Sequence, residues 1–252
     1  MPEADADIQA TILQADGKTD ETHGYGHPIR LRLEEYGFRV EIVDLPSVAS
    51  RLEGLPKKPV IISGGMTEVT ADVKWIMESK EFLRTVIETN RDSPPNQRRG
   101  IFGICFGAQL IAEALNPGSV LFLDDPEIGV SQIALQETDH PLFEGFEPEF
   151  PAYSFHYNQI RPNGVSVISD HRYKGHHFVQ AFEVADGAAY GVQFHPEFRK
   201  DEMKALLLTY TSLMKDLGVD VAPIAENLPT LRGTERILLN FMKMHTKWSR
   251  HH

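Results

Sequence analysis

The chain has 252 residues, enough for one full-size domain with a buried core, and its 41% hydrophobic and 24% charged residues are ordinary globular usage. A net charge of −11 repels phosphate backbones and anionic headgroups, so neither nucleic acid nor a membrane is an expected partner. The single cysteine, Cys105, excludes an intramolecular disulfide framework and a multi-cysteine metal site.

Met1 to Ala10 is acidic and lacks the basic start and apolar centre of a signal peptide, and no apolar run approaches membrane-spanning length. The expected compartment is cytoplasmic. Ala10 to Ala15 reads as a first strand, followed by a polar loop with the turn Gly24-Tyr25-Gly26. His27 to Tyr36 has helical composition and ends at Gly37, after which Phe38 to Val43 alternates with period two. Pro59-Val60-Ile61-Ile62, stopped by Ser63-Gly64-Gly65, has the profile of a buried parallel strand entering a permissive loop. Between Val73 and Asn90, apolar residues recur at helical spacing with polar residues between them. Arg91 to Arg99, with Pro94-Pro95, is a surface loop, and Gly100 to Ile104 is a further apolar run entering Cys105.

This alternation predicts an α/β fold, a single-domain open sheet, mostly parallel, with helices on both faces. Such sheets place ligands beyond the carboxyl ends of their strands, where Cys105 falls. Later strands, expected at Val120–Asp124, Gly129–Leu135, Val165–Ser169, His177–Phe182 and Ala189–Phe194, are separated by turns, so the second half is expected to be partly antiparallel. C-terminal helices at Lys200–Leu217 and Gly233–Lys247 close the chain, joined through Pro223 and Pro229. The expected organisation is a main unit over residues 1–200 and a helical extension, 201–252, packed on the same domain.

From Ile101 to Leu115 the sequence reads strand, Gly-x-Cys-x-Gly turn, helix, the pattern of a nucleophile elbow. Glycines at 103 and 107 relieve the crowding that a sharp strand-to-helix turn creates. The turn sets Cys105 at the positive end of a helix, which favours thiolate, and aims the Phe106 amide toward developing negative charge. An isolated cysteine is more simply a small buried hydrophobe; the flanking glycines decide for the elbow. In Tyr190-Gly-Val-Gln-Phe-His-Pro-Glu197 a strand ends with His195 and Glu197 two apart, hence on the same side of extended chain. His195 suits a proton-transferring base and Glu197 its orienting acid.

These residues carry a resemblance. Gly103-Ile-Cys105-Phe-Gly107-Ala-Gln109, with Ser63-Gly64-Gly65 upstream and Gly191-Val-Gln-Phe-His195-Pro-Glu197 downstream, is similar to the signature blocks of class I, triad-type glutamine amidotransferases. Glu127-Ile-Gly129, Phe155-His156 and Asn158 further resemble blocks of the GMP synthase-like branch, so the likeness runs from about residue 10 to about residue 200. It implies a flavodoxin-like glutaminase fold in which Cys105 is acylated by the glutamine side chain, ammonia leaves and water releases glutamate. It also implies an oxyanion hole from the Gly65 and Phe106 amides, and substrate contacts from Gln109, Gly64, Phe155 and His156. No cofactor and no metal are called for.

Three departures stand out. Met66 occupies a position where proline commonly follows the two glycines, and Tyr157-Asn158 stands where a small residue and an aspartate are usual. The roughly 50 residues after Glu197 fall short of the ~100 to 150 of a typical domain, so an ammonia-accepting synthetase is expected on another polypeptide. The leading function is therefore glutaminase activity serving a separate synthetase. The alternatives are a hydrolase or peptidase of γ-glutamyl compounds with the same thiolate chemistry, and a binding protein that retains the fold without turnover.

Other signals carry little. Adjacent His176-His177 point to opposite faces of a strand and lack a third ligand. Gly24-Tyr25-Gly26 lacks the spacing of a phosphate-binding fingerprint and reads as a surface turn. Lys57-Lys58 and Arg98-Arg99 are solvated loop charges, and His251-His252 is a terminus or tag remnant.

Overall fold

The computed structural model describes residues 8–173 and 176–246; the leader Met1–Asp7, Lys247 and the pair His251-His252 lie outside the described residues, as does the side chain of His176. Nine strands form one sheet in the order β2-β1-β3-β4-β9-β8-β7-β5-β6. The half from β2 to β9 is parallel: β1 (Ala10–Gln14) lies between β2 (Val40–Asp44) and β3 (Val60–Ile62), β4 (Ile101–Ile104) follows β3, and β9 (Ala189–Val192) follows β4. The half beyond β9 is antiparallel: β8 (His176–Val184), β7 (Ser166–Tyr173), β5 (Val120–Leu135) and β6 (Glu149–Ile160).

Strands buried on both faces divide their side chains between two cores. Ile12, Phe102 and Ile104 pack on one side with Ile29 and Leu33 of α1 (Gly26–Glu35). Leu13, Val60 and Ile101 pack on the other with Ile76 and Leu83 of α3 (Lys74–Arg91) and with Leu110 and Ile111 of α4 (Phe106–Leu115). A short helix α2 (Leu45–Val48) and a 3-10 turn over Ala49–Gly54 join β2 to β3 and show no strong sequence pattern.

The structure corrects several boundaries. The strands expected at Val120–Asp124 and Gly129–Leu135 are one strand, β5, whose register against β6 shifts between Phe122 and Glu127. Strand β6 has no counterpart among the expected strands, because Pro151 reads as a strand breaker; it is an outermost strand, where proline is tolerated. The helix expected over Lys200–Leu217 is two, α5 (Lys200–Thr209) and α6 (Thr211–Asp216), divided at Tyr210. Thr209 and Thr211 flank the break, and their hydroxyls donate to carbonyls one turn back, a contact that bends helices. Pro223, expected in a connection, lies in the first turn of α7 (Ala222–Asn227), where its missing N–H costs nothing.

The last helix, α8 (Arg236–His245), is integral to the first core. Ile237, Leu238 and Phe241 are fully buried there, and Phe241 stacks on Phe102 of β4 with centroids 5.2 Å apart. Replacing Phe241 with alanine is expected to destabilise the chain by about 3–5 kcal/mol. Denaturant unfolding checks this as a lower midpoint at unchanged slope; a loss of about 0.5 kcal/mol or less would place α8 outside the cooperative core.

Candidate active site

The site lies at the carboxyl ends of β3, β4 and β9, which deliver Ser63, Cys105 and, past Gln193 and Phe194, His195. Cys105 sits between β4 and α4 with φ 50° and ψ −106°, backbone that an L-residue adopts only at a cost of roughly 1–3 kcal/mol. Its N–H donates to the Val192 carbonyl of β9 at 2.8 Å, which holds the turn against the neighbouring strand. A methyl group on Gly103 would stand 2.4 Å from the carbonyl of Gly107, and one on Gly107 would stand 2.3 Å from the carbonyl oxygen of Ile62. Both glycines are thus dictated by backbone contact.

Cys105 is 6% exposed, and its Sγ lies 3.8 Å from the Phe155 carbonyl oxygen. Phe106 opens α4, so its amide has no partner within the helix. A methyl group on Gly65 would stand 2.8 Å from the Ala15 side chain and 3.2 Å from the Phe106 ring. A small cavity at Cys105 is walled by residues 65–67, residues 155–158 and Gln109. It gathers Gly65, Cys105, Gln109, Phe155 and His156 from the residues expected at the site. Gly64 instead packs against Tyr25 and His195, and the Gln109 side-chain amide donates to Gln193 Oε1 at 3.2 Å. A larger cavity lies elsewhere, between Arg32 and residues 196–201, and includes Glu197 but not Cys105.

His195 and Glu197 are both fully buried, with Nδ1 donating to Glu197 Oε1 at 2.8 Å. The His195 amide donates to the Tyr153 carbonyl of β6, and its ring stacks on Phe198 with centroids 4.8 Å apart. With Nδ1 committed to the carboxylate, Nε2 is the nitrogen available for proton transfer, and it has no hydrogen-bond partner among the described residues. Burial alone would lower the imidazolium pKa; the charge of Glu197 and the sulfur of Cys105 outweigh it and push His195 up to about 10.

A second buried ion pair underlies the cavity wall. Glu127 on β5 accepts from His156 Nε2 at 2.7 Å, Ser131 Oγ at 2.6 Å and Gln180 Nε2 at 2.8 Å, while His156 Nδ1 donates to the Asn158 carbonyl at 2.8 Å. Burial would raise the Glu127 carboxyl; the His156 partner and the two further donors hold it down at about 2. Tyr25, read from sequence as part of a surface turn, is 1% exposed and lies 6.2 Å from the His195 ring. A tyrosine between two glycines was the only signal of it. His177 pairs with Asp170. Among the described residues no three His, Cys, Asp or Glu side chains converge as metal ligands would, and no helix is long and apolar enough to cross a membrane.

A family model described as glutamine amidotransferase class-I matches residues 19–212. The chain is similar to the glutamine-hydrolyzing GMP synthase of Aeropyrum pernix, 31% identical over 69% of this chain and 31% of that protein. It spans about a third of the length of such GMP synthases. A shorter relative, a glutamine-hydrolyzing GMP synthase subunit of Saccharolobus solfataricus, is 26% identical over 71% of this chain and 86% of its own length. Among solved structures, a glutamine amidotransferase of Thermotoga maritima shares the fold, with TM-score 0.66 and 18% identity over 94% of each chain.

His195, raised to about 10 from 6.5, contributes stability in full below pH 6.5, and that contribution fades as pH rises through 10. Its ring signals in NMR should therefore titrate well above pH 8. A midpoint near 6.5 would show that the pairing with Glu197 and Cys105 is not formed.

Proposed function

This chain belongs to the class-I glutamine amidotransferase family, and we propose that it hydrolyses the side-chain amide of glutamine with Cys105 as nucleophile. The observation that carries this reading is the fully buried His195–Glu197 hydrogen bond at 2.8 Å, set at the same strand ends as the Cys105 turn. Cys105 Sγ adds to the amide carbon, and the carbonyl oxygen takes up the displaced electron pair between the Gly65 and Phe106 amides. Collapse breaks the C–N bond while His195 gives its Nε2 proton to the leaving ammonia, so a γ-glutamyl thioester remains. His195 then takes a proton from water, which adds to the thioester and releases glutamate and the Cys105 sulfur. Glu197 orients the ring and stabilises the imidazolium. Gln109, Phe155 and His156 are assigned to the glutamate portion of the substrate, and Gly64 to letting the loop close on His195.

Residues 1–200 are read as the glutaminase unit and 201–252 as helices packed on it. The similarity to the shorter GMP synthase relatives, which this chain spans over more than four-fifths of their length, supports ammonia delivery to a synthetase on a separate polypeptide. A second reading, hydrolysis of γ-glutamyl amides or peptides, is favoured by one feature. Phe122 is 57% exposed and packs 5.8 Å from Tyr157 of the cavity wall, an apolar landing for a substituent on the amide nitrogen.

Turnover on glutamine and on a panel of γ-glutamyl amides and peptides separates the two. Higher kcat/KM for glutamine supports the first reading, and higher values for substituted amides support the second. No glutamate release from any of them, or release undiminished in Cys105→Ala, overturns both. Glu197→Gln is expected to lose less kcat/KM than His195→Ala, by about tenfold or more, because the nucleophile and oxyanion amides survive loss of the orienting acid. Equal losses would make Glu197 an obligatory proton carrier.

A further inference from the structure

The Gly65 amide is carried by a loop whose own sequence does little to restrain it. Gly64 and Gly65 have no side chains, and Met66 leaves the next φ unlocked where a proline would fix it. Beyond Ser63, the restraint comes from outside the loop. The Tyr157 hydroxyl donates to the Met66 carbonyl at 2.9 Å. The Asp16 carboxylate accepts from the Thr67 N–H at 3.1 Å and from the Thr67 hydroxyl at 2.6 Å. The Met66 carbonyl and the Thr67 N–H are the two ends of one planar peptide group. One peptide is therefore gripped at both ends, from β6 on one side and from the segment after β1 on the other. Upstream, the Ser63 hydroxyl donates to the Gly64 carbonyl at 2.7 Å and accepts from the Ala15 N–H at 3.0 Å. The Gly64 carbonyl shares its peptide plane with the Gly65 N–H, so that plane is anchored as well.

We propose that Tyr157 and Asp16 are positioning residues that fix the Gly65 amide for oxyanion stabilisation by gripping the 66–67 peptide from both ends. The inference rests on the functional reading above and goes beyond it in assigning two groups that, with Ser63, hold the amide in place. Burial, with Glu68, Cys105 and Asp16 nearby, raises the Tyr157 hydroxyl above its ordinary pKa, so it remains a donor across the working range.

The test compares Tyr157→Phe and Asp16→Ala with the unaltered chain on its best substrate. Deleting an oxyanion donor outright costs about 10²–10³ in rate, so releasing one is expected to cost about tenfold in kcat with KM held within about threefold. Alkylation of Cys105 by iodoacetamide supplies the control. There sulfur attacks the methylene carbon, the C–S bond forms as iodide leaves, and no charge builds on oxygen, so alkylation in both variants should fall by much less than kcat does. A kcat that does not fall in either variant overturns the inference, as does a rise in KM alone or a matching fall in alkylation. An unaltered chain that turns over no γ-glutamyl compound overturns the functional reading and this inference with it, whereas an active chain with indifferent variants overturns this inference only.

Discussion

The contact between β4 and the first turn of α4 is closer than any side chain permits, and the rest of the site is arranged around it. Because Gly103 meets Gly107 directly and Gly107 meets the Ile62 carbonyl, β3, β4 and α4 converge on a single backbone junction. Gly107 N–H donates to Ser63 O at 3.1 Å, which brings the loop after β3 alongside the start of α4. Cys105 takes up the positive φ that such a junction requires, and its amide reaches across to β9. A cysteine, the first amide of a helix and a glycine loop become neighbours through backbone geometry, before any side chain acts.

Onto this backbone frame the protein adds two buried ion pairs, His195–Glu197 and His156–Glu127, each with its carboxylate hydrogen-bonded to an imidazole. Removing one member of such a pair leaves its partner's charge buried without a counter-charge. Each pair therefore acts as a unit, one past the end of β9 beside the Cys105 turn and the other bracing β5 against β6. The bracing pair spans β5 and β6 in register, Glu127 facing His156, so the cavity wall is as firmly located as the His195–Glu197 pair.

Much of this was readable from residues alone, and the division between what was and was not has a physical basis. The parallel half announced itself because strands buried on both faces are continuous apolar runs between turn residues. The Cys105 turn and the His195–Glu197 pair were legible because their constraints are local: glycines two before and two after the cysteine, and a histidine and glutamate two apart past one strand. The wall opposite gave no such signal. Strand β6 lies at an edge and contains Pro151, so its pattern is broken where its structure is regular. Tyr25, Asp16 and Tyr157 acquire their places from contacts far along the chain, and spacing cannot report those. The expected helix over Lys200–Leu217 failed for the complementary reason, since its apolar periodicity continues through a break marked only by two threonines.

The position of β9 in the sheet bears on how the molecule is made. Strand β4 is interior, yet one of its two neighbours is the last strand of the chain, with Phe102 paired to Tyr190 and Gly103 to Gly191. During synthesis the strand that ends in the nucleophile stays an open edge while β5 to β8 are added, and unpaired edges invite association with other chains. Cys105 and His195 come together only after most of the polypeptide has emerged, because His195 follows β9. The order of strands thus delays completion of this junction, so an incomplete chain carries the Cys105 turn without the imidazole beside it.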